Sequence, residues 1–188
     1  DRLPQVYDPL EGFFQNCNSS PYLATGSRVD ASKPIPDWSG IEKHQTNRAL
    51  RALETFGSDP SINREEFFKY KYDVEYSRES ILAGVRKRYI SEMTEKGIPD
   101  NLKTAIELIK TWDLRADSSN TSAALAILTL PNAFKIEELK YDTDSVTIKL
   151  RENISYLEKE FGKIDVPLGK VLRLIRGKID LPLSGGPG

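Results

Sequence analysis

Gly12-Phe13-Phe14-Gln15-Asn16-Cys17-Asn18-Ser19-Ser20-Pro21 passes from an aromatic opening to a polar close. Residues 12–18 suit a short strand, because aromatic side chains favour extended backbone. Ser19-Ser20-Pro21-Tyr22 suits a loop, since Pro21 has no N–H for a sheet ladder. Asn18 stands at the junction. An asparagine there stabilises a turn through its own side chain. Its amide also offers N–H donors that carry no charge.

Outward from this stretch, order is scarce on both sides. Leu3-Pro4 and Asp8-Pro9 break regular structure upstream. Thr25 to Gly40 is rich in Ser, Pro, Asp and Gly and reads as a long excursion. From residue 40 the periodicity becomes helical. Ile41 to Phe56 carries Leu50, Leu53 and Phe56 on one stripe. Asn63 with Glu66 three residues on forms a capping-box pattern after Pro60. Ser77 is a candidate cap for a helix with Ile81, Leu82, Val85, Tyr89, Ile90 and Met93 on its buried face. Pro99 opens the next, with Leu102, Ala105, Ile106, Ile109 and Trp112 facing inward. Asp117 or Ser118 suits the cap of a helix over 123–130, which Pro131 closes. Asp144 or Ser145 suits the cap of a long helix that Gly162 stops. Leu168 to Ile175 reads as a last short helix, and Ile179 to Leu183 as a strand.

The fold class is therefore mainly α with a few strands, one short strand lying near each end. Two lone strands leave unpaired edges, so the rest of their sheet is expected outside these residues. The closing Leu183-Ser184-Gly185-Gly186-Pro187-Gly188 is a Gly/Pro-rich loop, which suggests an internal piece of a longer parent.

Composition is that of an ordinary globular protein, 38% hydrophobic and 29% charged. Lys and Arg total 27 against 28 Asp and Glu, so no nucleic-acid partner is indicated. No run approaches the roughly 20 apolar residues of a membrane span. Cys17 is the sole cysteine and His44 the sole histidine, which excludes a disulfide, a multi-cysteine metal site and a histidine triad within the chain. Cys17 has no base placed for it and reads as a buried, inert residue of the strand. Glu65 with Glu66, and Glu158 with Glu160, read as solvated helix faces. Trp112 and Phe161 read as core anchors. The closing glycines are no phosphate loop, because no Gly-Lys-Ser/Thr follows them.

The 12–21 stretch resembles the glycine, aromatic, Asn-x-Asn-Asn/Ser-x-Pro segment of penicillin acylases and acyl-homoserine-lactone acylases. Three further stretches resemble the same family in the same order. They are Arg48-Ala49-Leu50-Arg51-Ala52-Leu53, then Leu108 to Asp113 with Ala116-Asp117-Ser118-Ser119, then Arg176 to Gly188. The resemblance implies a four-layer αββα core elaborated by helices, of which this chain would supply part of the large β subunit. Residues 1–39 would be strand and loop of that core, 40–165 a helical domain, and 166–188 a short helix and strand returning to the core.

The resemblance also implies chemistry. Such enzymes hydrolyse an amide through an N-terminal nucleophile, usually Ser, exposed by self-cleavage and served by its own α-amino group. That residue is absent here, so the fragment alone is expected to be inactive. By position, Asn18 would be the oxyanion-hole donor and Asn16 would support the loop. Relatives place an arginine on the following helix against the Asn and the nucleophile's amino group. Counting back from Arg51 brings that position to His44, with Arg48 one turn further on. No cofactor is required; Asp30 is the one candidate ligand for a structural calcium, one residue out of register. The implied partners are the remainder of the precursor, including its α subunit, and a small N-acyl substrate. The implied location is periplasmic or secreted. Two alternatives stay open: a non-catalytic helical interaction or scaffold module, and a relative that has lost its nucleophile.

Overall fold

The computed structural model describes residues 7–18, 21, 24–26, 38, 40–41, 45–130 and 142–187. The chain forms two compact units, Asp1–Asp73 and Val74–Gly188. The division into 1–39, 40–165 and 166–188 concerns membership of a larger core, a different matter from contacts within this chain.

The first unit holds two helices, α1 (Asn47–Glu54) and α2 (Arg64–Lys71). α1 starts six residues later than its apolar stripe suggests, because Thr46 takes an extended backbone and its side chain accepts the Ala49 N–H. Residues 12–18, expected as a strand, pair into no sheet among the described residues. Their burial nevertheless alternates residue by residue, with Phe13, Gln15 and Cys17 half-buried and Phe14, Asn16 and Asn18 exposed. That is the period of extended backbone without the neighbouring strands that would make it a ladder. One backbone bond, Gln15 N–H to Ala24 C=O at 2.7 Å, ties the segment to its own return. Phe13 anchors it. A Cβ at Gly26 or at Gly57 would come within 2.9 Å of the Phe13 ring, so both glycines leave room for that ring beside Leu53.

α2 begins with the expected capping box: Asn63 accepts the Glu65 and Glu66 N–H groups and Glu66 accepts the Asn63 N–H. It buries no residue, and its Phe67 and Phe68 remain exposed. Arg51 joins the end of the unit to α1 through a 2.7 Å ion pair with Asp73.

The second unit comprises α3 (Ile81–Lys96), a 3-10 turn (Asp100–Leu102), α4 (Lys103–Thr111), α5 (Ala123–Thr129), α6 (Thr143–Phe161), α7 (Leu168–Val171), β1 (Arg173–Arg176) and β2 (Ile179–Pro182). α5 is its centre. Ala123, Ala124, Leu125 and Ala126 are completely buried, so this helix is apolar on nearly every side. The small alanines let α4 and α6 approach it closely, and α3 packs on both. Tyr89, Ile106, Ile109, Trp112, Leu150 and Leu157 fill the space between them. Each such side chain contributes roughly 1.5–3 kcal/mol by leaving water.

Three caps differ from the expected ones. Ser80 rather than Ser77 caps α3, Asn120 rather than Asp117 or Ser118 receives the Ser122 and Ala123 N–H groups before α5, and Asp142 rather than Asp144 or Ser145 caps α6. Gly162 ends α6 in the left-handed conformation, as its spacing indicates. Near the end, the helix expected over 168–175 stops at Val171, and 173–176 pairs antiparallel with 179–182 around Gly177. Ile175 thus faces solvent on a strand instead of the core on a helix. The two strands satisfy each other on one edge. No helix among the described residues is long and apolar enough to cross a membrane.

Candidate functional site

Asn18 lies in the first unit with φ +52, in the left-handed region. Asparagine tolerates this conformation because its short amide bonds locally. Its N–H donates to Asn16 Oδ1 at 3.2 Å, so Asn16 closes the turn that presents Asn18.

Two hydrogen bonds fasten this turn to the start of α1. The Thr46 hydroxyl donates to the Cys17 carbonyl at 3.1 Å, while the same oxygen caps the helix. Arg48 Nη2 donates to Asn18 Oδ1 at 3.1 Å. Arg48 is the second residue of α1, so the cap that fixes where the helix begins also fixes where the guanidinium reaches. The bond is charge-assisted and occupies the amide oxygen. It sets the orientation of the amide plane, leaving Nδ2 directed away from Arg48. Among the described residues Nδ2 has no hydrogen-bond partner, and Asn18 is exposed. An oriented, uncharged N–H donor at a surface is suited to receive an anionic oxygen from outside.

Arg48 is therefore brought to Asn18. His44, the other candidate, lies outside the described residues, as does Asp30. Among the described residues no group of three or more His, Cys, Asp or Glu could hold a metal ion. Cys17 is a half-buried free thiol whose backbone, not its sulfur, takes part in the site. Sequence reasoning missed Thr46. Its signal was a threonine just before Asn47-Arg48, hidden by placing the helix start at Ile41.

A family model described as Penicillin amidase matches residues 1–166. The match takes in the Asn16–Asn18 turn, α1 and every helix through α6, and ends before α7 and the hairpin. The chain belongs to the penicillin amidase family, a family of amide hydrolases.

Proposed function

We propose that this chain is an internal part of an N-terminal-nucleophile acylase that cleaves the amide bond of an N-acyl substrate, and that Asn18 supplies its oxyanion-hole side chain. The observation that carries the proposal is the 3.1 Å bond from Arg48 to Oδ1 of the exposed Asn18, whose Nδ2 has no hydrogen-bond partner among the described residues. Attack on an amide carbonyl builds negative charge on its oxygen. A donor already aimed at that oxygen needs no reorganisation when the charge develops. Arg48 acts as a positioning residue. Its charge on Oδ1 pulls electron density across the amide and makes Nδ2–H a stronger donor.

The nucleophile comes from elsewhere. In the family order it precedes the Asn-x-Asn segment, and residues 1–16 contain no Ser, Thr or Cys. The chain by itself does not turn over substrate, and its partners are the other parts of its precursor. A periplasmic or secreted location, and a calcium ligand at Asp30, rest on the family resemblance.

The test is amide hydrolysis by the intact protein, its Asn18→Ala variant and the isolated 188-residue chain. The proposal expects no turnover by the isolated chain. It expects the variant to lose on the order of 100- to 1000-fold in kcat. An unchanged kcat would remove Asn18 from the chemistry.

A further inference from the structure

A cleft of about 590 Å³ opens in the second unit between α3 and the end of α4. Its lining includes four cations, Arg78, Arg86, Lys87 and Lys110, against two carboxylates, Glu79 and Asp113. Neither carboxylate forms an ion pair with a lining cation among the described residues. Asp113 Oδ1 already accepts the Arg115 N–H at 3.0 Å and Asn120 Nδ2 at 2.8 Å, and so serves its own loop. Glu79 forms no ion pair among the described residues.

Arg86 is the central group. It is half-buried, and its Nη1 donates to the Trp112 carbonyl at the end of α4. It has no carboxylate partner among the described residues. Burial, with the Arg78 guanidinium beside it, holds its pKa below the ordinary arginine value. Arg78 and Lys87 likewise form no ion pair among the described residues, whereas Lys110 is held by Glu107 at 3.2 Å. Like charges gathered in a concave site repel each other, and a bound anion would relieve the repulsion.

The geometry points to a binding site here for a multiply charged oxyanion, held between Arg78, Arg86 and Lys87. Guanidinium forks match phosphoryl and carboxylate oxygens in pairs, and a lysine adds a point charge. The cleft is larger than one ion and has the volume of a small-molecule site. The ligand is therefore a small organic molecule with a phosphoryl or polycarboxylate head. This site stands on the second unit alone and is independent of the role given to Asn18.

The probes are inorganic phosphate and citrate, each titrated at constant ionic strength against sodium chloride, with amide NMR shifts of the full chain as readout. The inference expects saturable shifts confined to residues 78–90 and 110–114, with dissociation constants below about 10 mM. Arg78→Gln and Lys87→Gln, both at exposed positions, should each weaken binding roughly three- to tenfold while leaving the remaining spectrum unchanged. Saturation by phosphate alone assigns a phosphoryl head, by citrate alone a polycarboxylate, and by both the shared chemistry. Failure of both probes to saturate, or full binding by a variant carrying both Arg78→Gln and Lys87→Gln, would overturn the site.

Discussion

At the scale of single residues, Asn18 carries the functional reading and Arg48 and Thr46 hold it in place. The Asn-x-Asn stretch was legible because its residue types are unusual at the end of a strand-like run. The arginine was legible only as one of two positions. Counting turns back from Arg51 to residue 44 assumes a longer helix than α1, which begins at Asn47. The cap position sets where Arg48 stands on α1, and Thr46 holds that position through a long-range bond to Cys17, while His44 lies outside the described residues. Arg48→Met should leave Asn18 able to donate but free to rotate. In the intact protein kcat should fall about tenfold, equivalent to about 1.4 kcal/mol, with KM little changed and partial recovery in Arg48→Lys. Steady-state kinetics on both variants checks this. A change in KM alone would make Arg48 a substrate-binding group instead.

At the scale of elements, type was easier to read than position. Ser77, Asp117 and Asp144 have the right chemistry for caps, yet Ser80, Asn120 and Asp142 do the capping. Several Ser, Asp and Asn residues precede each helix, and packing decides which of them meets the first free N–H groups. The stretch 168–175 is apolar enough for either helix or strand. Its second half pairs with 179–182, a contact that local periodicity does not contain. The α2 capping box was read correctly because both of its partners lie three residues apart. Asn63→Ala should cost about 1 kcal/mol of α2 stability. Because α2 buries no residue, the loss should appear as faster amide exchange over residues 64–71, with exchange in α3 to α6 unaltered. Exchange rates that rise throughout the chain would contradict a local role.

At the scale of the molecule, the helical bundle was legible as amphipathic stripes, whereas residues 12–18 pair with no strand among the described residues. The bundle of the second unit is closed by its own C-terminal segment. Tyr76 is 3% exposed, lies edge-on to Trp112 at 5.6 Å, and donates its hydroxyl to the Pro187 carbonyl at 2.7 Å. Burial pushes its pKa up from 10.0 to about 12. A raised native pKa means stability fully present below pH 10 and lost as pH rises toward 12. The loss amounts to roughly 2–3 kcal/mol. Tyr76→Phe should cost about 1 kcal/mol near neutrality through the missing hydrogen bond. It should also lack most of the alkaline decline. Urea unfolding of the chain and the variant at pH 7 and at about pH 11.5 compares the two. Parallel declines would show that Tyr76 ionises without unfolding cost.

The assignment of Asn18 Nδ2 to a developing negative charge is tested most directly by a transition-state analogue. A phosphonate or boronate inhibitor that places an anionic oxygen where the tetrahedral intermediate would form should bind the intact Asn18→Ala variant about 100- to 1000-fold more weakly than the unaltered protein, while KM for substrate shifts only a few-fold. Equal weakening of inhibitor and substrate, or no weakening of either, would contradict it.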